Sequence, residues 1–363
     1  MIDAWKEVAV ENAAMYIGVG GLLIGLVFGA ILVRTNFCTM GSLSDIANFG
    51  DWRRFRSWLT AIAVAMIGVF WIERTGFADM TASLYLSPRL MWGGHIAGGL
   101  VFGIGMVLAG GCVSKNLARA GGGDIRSLIV LWLIGGTAYM TIGGLFAESR
   151  VAFIDATSTD LSALGAQDQA LDTILASATG LSASMAQLIT VVVLAGGMLV
   201  YAFSDKGFRS SPTHVIAGIG IGLLVVAGWV LTAFTFDEFA DNPTLASLSY
   251  VRPAGDSIDY FMRYTADKIP GFAVTTTVGA LFGAFFMSLA LGKFHLATFS
   301  NPQDTILNLV GAGMMGVGGV TALGCTVGQA VTGFSTLALG SLITFLAIIV
   351  GGLIGLKAME RFI

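Results

Sequence analysis

Charged side chains are scarce in this sequence. Only 11% of its 363 residues are Asp, Glu, Lys or Arg, whereas 55% are hydrophobic. Soluble domains carry about 25% charged residues, so the composition excludes a soluble globule and indicates an integral membrane protein. Proline is also scarce, with six residues, and no segment alternates apolar and polar residues over the length of a barrel strand. An outer-membrane β-barrel is therefore excluded as well.

Several functional signatures are missing too. The three cysteines and three histidines form no Cys-X-X-Cys motif and no cluster with zinc-ligand spacing, so we expect no metal site. The sequence contains no phosphate-binding loop, kinase motif set or hydrolase nucleophile elbow, and no basic patch that would bind nucleic acid. We therefore expect no cofactor, no nucleic-acid partner and no residue in a catalytic role.

Long apolar segments make up most of the chain. A helix needs about 20 apolar residues to cross a bilayer, and the fifty glycines, some at GlyXXXGly spacing, indicate closely packed membrane helices. The sequence predicts an all-α integral membrane protein, surrounded by membrane lipid, with about nine transmembrane helices. The predicted spans lie near residues 14–33, 57–76, 91–111, 125–147, 185–203, 212–235, 272–292, 309–324 and 338–357.

One sequence pattern occurs twice, in residues 98–136 and 311–351. Each copy contains a glycine-rich apolar run, a Gly-Cys pair, a short polar break and a second apolar run. Cys112 aligns with Cys325 at an offset of 325 − 112 = 213, which also places Gly98 on Gly311. A second alignment places Gly21 and Gly25 on Gly218 and Gly222, and Cys38 then falls opposite Thr235.

The distribution of charge predicts the orientation of the spans. Lys and Arg occupy alternate loops, whereas the long segments near 148–184 and 236–271 are rich in acidic residues. Because basic loops stay on the cytoplasmic side, we expect the N-terminus outside and the C-terminus in the cytoplasm. Spans one to four and six to nine then cross in opposite senses. We therefore expect two inverted pseudo-symmetric halves with broken or re-entrant helices at the centre, an arrangement typical of transporters.

This pattern divides the chain into three parts. The first transmembrane half covers residues 1–150, and the second covers residues 212–363. Between them, residues 151–211 contain an outer acidic segment and the inserted fifth span.

The candidate site lies where the apolar runs are broken. Cys38, Cys112 and Cys325 all lie at such breaks, and irregular backbone at membrane depth is tolerated only where it lines a cavity. A lone buried cysteine usually acts as an inert apolar residue, but the repetition at equivalent breaks favours a function. A short helix after each cysteine would direct its N–H groups at the thiol, which suits an anion. The neighbouring residues that we add to this site are Asn36, Gly111, Lys115, Gly324 and Gln329.

The chemistry of neutral thiols favours a particular kind of anion. Thiols are weak hydrogen-bond donors, so a series of them suits a soft sulfur-containing anion that passes without being trapped. Sulfate would lose more water than such donors could replace. Two other classes stay open: a membrane enzyme that exchanges disulfides or carries a persulfide, and a helical scaffold without transport. Exchange usually requires paired nearby thiols, and their absence from the sequence pattern argues against that enzyme.

Three segments resemble a known family. They are NFCTMGSLSDI at 36–46, MVLAGGCVSKNLARAGGGD at 106–124 and VTALGCTVGQAVTGFST at 320–336. In them, and over nearly its whole length, the chain resembles the YeeE/YedE family of bacterial inner-membrane proteins, also called the sulfur transport domain family. The resemblance implies an hourglass-shaped helical fold and uptake of thiosulfate from the periplasm, relayed through Cys38, Cys112 and Cys325. Related members are assigned to selenium or to other sulfur species. It also implies a small cytoplasmic partner similar to the TusA-like sulfur carriers.

Overall fold

The structure, a computed structural model, describes residues 10–236, 245–265, 270–299 and 301–360. Parts of the second acidic segment, 236–271, lie outside these residues. The described chain is mostly helical and has almost no strand, which confirms the all-α fold class. Its helices are α1 (Ala13–Thr35), α2 (Thr39–Phe49), α3 (Arg53–Arg74), α4 (Trp92–Leu108), α5 (Val113–Gly121), α6 (Ile125–Ile142), α7 (Ala147–Ala156), α8 (Leu171–Thr179), α9 (Ala183–Ser204), α10 (Lys206–Arg209), α11 (Pro212–Phe234), α12 (Val251–Met262), α13 (Phe272–Ala290), α14 (Pro302–Thr321), a π-helix (Val327–Gly333) and α15 (Leu339–Met359).

Eight helical stretches within the described residues are long and apolar enough to cross a membrane, so the protein is a multi-pass membrane protein. Helices α1 and α2 together form one of these stretches, and α4 and α5 together form another. The remaining predicted span, 309–324, falls in α14, which has 20 residues but is not among the eight. The first turns of α14 contain Gln303, Asp304 and Asn308, and these polar side chains lower its hydropathy.

The helices that the repeat treats as equivalent lie against each other and run in opposite directions. In the α4–α14 pair, a methyl group added at Gly98 would lie 2.7 Å from the carbonyl oxygen of Gly318. A methyl group added at Gly105 would lie equally close, 2.7 Å, to the carbonyl oxygen of Gly311. Since Gly98 aligns with Gly311 and Gly105 with Gly318, these two contacts are the same contact made twice. A two-fold axis in the membrane plane would produce this arrangement.

The pair α1 and α11 behaves in the same way. Gly20 of α1 packs against Leu231, near the end of α11, while Gly220, near the start of α11, packs against Ile31. These two helices are therefore antiparallel as well. Each also has a parallel neighbour: α1 packs on α13, and α11 packs on α3. The contacts support the interpretation that the halves are inverted copies.

The segment between α6 and α9 is folded and is attached to both halves. A two-residue strand, Thr159–Asp160, pairs with the strand Arg89–Leu90 before α4. Further along, the N–H of Leu171 donates to the carbonyl of Leu337, and the N–H of Leu339 donates to the carbonyl of Gln169. The acidic segment near 148–184 therefore packs at the start of α15 and contains α7 and α8.

Candidate functional site

The three breaks share one backbone feature. In each, the residue two positions before the cysteine adopts the left-handed conformation, which ends the preceding helical run. This conformation is uncommon for residues other than glycine, so two of the three breaks keep it at a steric cost. The pairs are Asn36 (φ 55°) before Cys38, Gly110 (φ 67°) before Cys112, and Leu323 (φ 61°) before Cys325. We call these the Cys38 break, the Cys112 break and the Cys325 break.

Each cysteine then stands at the start of a helical segment. Cys38 is the N-cap of α2, and its sulfur accepts a hydrogen bond from the N–H of Gly41 at 3.5 Å. Cys112 is the N-cap of α5. The sulfur of Cys325 accepts from the N–H of Gly328 at 3.4 Å, at the start of the π-helix. Single π-helical turns are frequent at functional sites, and free N–H groups at helix starts attract anions.

The fold brings the thiols together. Cys38 and Cys112 lie within hydrogen-bonding reach of each other, and Cys325 is within electrostatic reach of Cys112. All three are free cysteines, and none is more than 3% exposed. The expectation that the protein lacks paired nearby thiols was therefore wrong. Sequence reasoning missed the pair because 74 residues separate the two cysteines, and only the packing of α5 against α1 brings them together.

Positive charge lies beside the first two thiols. The ammonium of Lys115 donates a hydrogen bond to the side-chain oxygen of Asn36, so these two residues of the predicted site do meet. Lys115 is within electrostatic reach of Cys38 and of Cys112. Arg54, which sequence reasoning missed, packs its guanidinium against Gly41 and forms an ion pair with Asp45 at 3.3 Å. Two cations therefore approach the start of α2.

Gly111 and Gly324 make room for the side chains of the following turn. Gly111 has a φ of 157°, a conformation that favours glycine, and a methyl group there would lie 2.8 Å from the Cγ of Lys115. At Gly324 a methyl group would lie 3.2 Å from the Cγ of Gln329. A larger residue at either position would displace the side chain that closes the break.

The side-chain nitrogen and oxygen of Gln329 both form hydrogen bonds within the protein. Its side-chain nitrogen donates to the carbonyl of Ala322 at 2.6 Å, and its oxygen accepts from the hydroxyl of Ser341 at 2.6 Å. At the Cys112 break the equivalent residue, Asn116, donates to the carbonyl of Gly111 at 2.9 Å. Each amide therefore donates a hydrogen bond to a backbone carbonyl of its break that has no partner within a helix. The offset of 213 links Asn116 to Gln329, so the repeat could have identified Asn116 from the sequence.

An acidic cavity of about 120 Å³ lies away from the thiols. Its lining includes the carboxyl groups of Glu73, Asp168 and Asp172, and none of the three cysteines. Burial raises the pKa of Asp172 above its ordinary value. Because carboxylates repel an anion, this cavity does not suit a sulfur oxyanion. Within the described part of the chain, no three His, Cys, Asp or Glu side chains are grouped to hold a metal ion.

The fold and the breaks define a class of protein: a helical membrane protein whose interrupted helices place thiols and helix N-termini in its interior, as at membrane-embedded transport sites. Residues 34–354 match the family described as sulphur transport, so the chain belongs to that family. This match confirms the resemblance drawn from the cysteine-containing segments.

Curated relatives carry names that agree with the family. A thiosulfate transporter TsuA from Spirochaeta thermophila is 28% identical over 339 residues, covering 91% of this chain and 96% of that protein. A thiosulfate transporter TsuA from Escherichia coli K12 is 26% identical and covers 85% of each chain. A probable transporter YedE from Salmonella typhimurium is 31% identical over 116 residues, 31% of this chain and 26% of that protein.

Proposed function

We propose that this protein takes up thiosulfate across the bacterial inner membrane along a path lined by Cys38, Cys112 and Cys325. One observation carries the proposal: the fold brings two thiols from separate segments close together at helix starts, beside the ammonium of Lys115. Membership of the sulphur transport family and the names of the relatives support it.

The site suits a soft dianion. Helix N-termini and the two cations, Lys115 and Arg54, supply positive potential in a region of low dielectric constant. The thiols are weak donors, so they can meet the polarisable terminal sulfur of thiosulfate without holding it tightly. Asn36 orients the ammonium of Lys115, whereas Gln329, Gly111 and Gly324 shape the breaks.

The helix directions suggest an order for the relay. Cys112 follows the end of α4 and Cys325 follows the end of α14, and these helices are antiparallel, so the two breaks enter the protein from opposite faces. With the N-terminus outside and the C-terminus in the cytoplasm, Cys325 receives the anion first. Cys112 and Cys38 then release it to the cytoplasm. A small sulfur carrier similar to the TusA-like proteins would be the acceptor there. The halves 1–150 and 212–363 flank this path, and 151–211 is an addition to it.

Uptake of sulfur-labelled thiosulfate into vesicles tests the proposal, with sulfate, sulfite and selenite as competitors. We expect thiosulfate to accumulate and unlabelled thiosulfate to compete best. Preferential competition by selenite or another sulfur species would reassign the substrate. Absence of accumulation from vesicles that contain folded protein would favour a scaffold. Reporter fusions at both termini test the orientation.

The proximity of Cys38 and Cys112 specifically favours one other candidate, a thiol enzyme. In that reaction a cysteine thiolate attacks the outer sulfur of thiosulfate, forming a cysteine persulfide and releasing sulfite, so that RS⁻ + S₂O₃²⁻ gives RSS⁻ + SO₃²⁻. Intact-protein mass measurement after incubation with thiosulfate separates the two. A mass increase of one sulfur atom with release of sulfite supports the enzyme, whereas an unchanged mass during active uptake supports transport.

A further inference from the structure

Buried hydroxyl groups without partners are concentrated around the thiols. Among the described residues, six buried side-chain hydroxyls lack a hydrogen-bond partner, and five of them lie beside a cysteine. Thr39 and Ser42 are one and four positions after Cys38, Ser114 is two after Cys112, and Thr326 directly follows Cys325. The fifth belongs to Tyr250, whose phenol is within electrostatic reach of Cys325 and whose backbone reaches the same sulfur. None of the five residues is more than 3% exposed.

Several buried hydroxyls elsewhere in the described spans have partners. Thr60, Thr141 and Thr190 each donate to the carbonyl four residues earlier in the same helix, at 2.7 to 2.9 Å. Thr39 and Ser114 lie in the first turn of α2 and α5, where no earlier carbonyl of the same helix is available. The helix start explains why these hydroxyls find no partner within their helices. It does not explain why they are buried.

Several donors lie around the hydroxyls near Cys38 and Cys112. The helix starts present N–H groups, the cysteines present S–H groups and Lys115 presents an ammonium. A buried hydroxyl without a partner lowers the folding equilibrium constant by about tenfold or more, so five of them in one region need an explanation. The partner that would satisfy these hydroxyls as donors is an acceptor that meets several of them at once. An oxyanion meets both requirements.

We propose that the hydroxyls of Thr39, Ser42, Ser114, Thr326 and Tyr250 bind the oxygen atoms of the transported anion while the thiols meet its sulfur. This inference rests on the proposed function and defines the substrate class: an anion that has both a terminal sulfur and sulfonate-like oxygens. Each break then offers one sulfur contact and at least one oxygen contact. Hydrosulfide has no oxygens, and sulfate has no terminal sulfur, so each fills only half of the site.

Two matched substitutions test the proposal. Thr326→Val removes an unpartnered hydroxyl at nearly constant volume, and Thr141→Val removes a hydroxyl that is equally buried but bonded to the carbonyl of Thr137 at 2.7 Å. Thermal unfolding of the purified protein is measured with increasing thiosulfate. We expect Thr326→Val to unfold at or above the wild-type temperature without anion, and to need about tenfold more thiosulfate for the same stabilisation. Thr141→Val should leave that requirement unchanged.

The outcomes separate the two proposals. If thiosulfate stabilises the wild type and Thr326→Val to the same degree, this inference is overturned and the transport proposal stands. If only sulfite or sulfate stabilises the wild type, and Thr326→Val loses that effect, the hydroxyls bind an oxyanion but thiosulfate is the wrong substrate. Wild-type protein that responds to none of these anions overturns both proposals. Tyr250→Phe gives a second variant for the same measurement, should Thr326→Val fail to fold.

Discussion

The Cys112 break and the Cys325 break share a backbone plan but differ in charge. Both have a left-handed residue, a cysteine and an amide side chain that fastens the break carbonyls. The position of Lys115 in one is occupied by Gly328 in the other, at the common offset of 213. The polar neighbours of Cys325 instead include the hydroxyl of Ser249 and the phenols of Tyr85 and Tyr250.

The two breaks therefore share their backbone conformation but not the charge beside the thiol. The backbone of the break requires a left-handed residue before the cysteine and an amide side chain after it, and both copies have them. The charge beside the thiol has no such requirement, and a cation stands at only one copy. An anion at the neutral Cys325 break would therefore be attracted to the Cys112 break, where Lys115 lies. In the proposed orientation this gradient points toward the cytoplasm.

The largest effect should come from removing either thiol. We expect Cys112→Ala and Cys325→Ala each to lower thiosulfate uptake by about ten- to a hundredfold, because each loses a contact to the charged anion. Uptake of labelled thiosulfate and growth on thiosulfate as sole sulfur source measure this. Val191→Ala in α9 removes more volume from a buried position outside the breaks, so it is a stringent control, and it should transport normally. Normal uptake by both cysteine variants at normal membrane levels would rule out the relay.

The second test addresses the difference in charge directly. Lys115→Gln removes the cation beside Cys38 and Cys112 but keeps a polar side chain that can reach Asn36. We expect the concentration for half-maximal uptake to rise about tenfold, since hydrogen bonds and ion contacts to charged groups are worth more than neutral ones. Lys206→Gln, at the start of α10, is the control for an exposed cation. If the concentration for half-maximal uptake is the same in Lys115→Gln and Lys206→Gln, the charge difference between the breaks has no role.

The third test asks whether the shared amide does the same work in both breaks. Asn116→Leu and Gln329→Leu each leave a buried carbonyl without its donor, which costs about 1–3 kcal/mol of stability. We expect similar falls in melting temperature for the two variants. Exposed Gln303, changed to Leu, is the control. A large effect at one position and none at the other would show that the two breaks are not equivalent in structure.

Much of the fold could be predicted because membrane helices depend on local composition. The span predicted near 14–33 is the helix Ala13–Thr35, and the span near 338–357 is Leu339–Met359. The Cys112 and Cys325 breaks could also be found, since the repeat marks both with a Gly-Cys pair. Three features could not be predicted. They are the proximity of Cys38 and Cys112, the packing of Arg54 against Gly41, and the hydrogen bonds between Gln169 and the start of α15. They depend on how helices from separate segments pack, and no local pattern records that packing.

The smallest effect concerns the acidic cavity, the region of opposite charge to the breaks. Burial raises the pKa of Asp172 in the folded protein, so the ionised form is disfavoured there. Ionisation of Asp172 therefore lowers stability above the unfolded-state pKa of about 4, and this penalty is fully present above the folded-state pKa. We expect Asp172→Asn to raise the melting temperature at pH 7 by about 2 °C and to have no effect near pH 3, where both states are protonated.

Glu148→Gln, at an exposed carboxyl, is the control and should change little at either pH. A lower melting temperature for Asp172→Asn at pH 7 would instead mean that the carboxylate stabilises the fold.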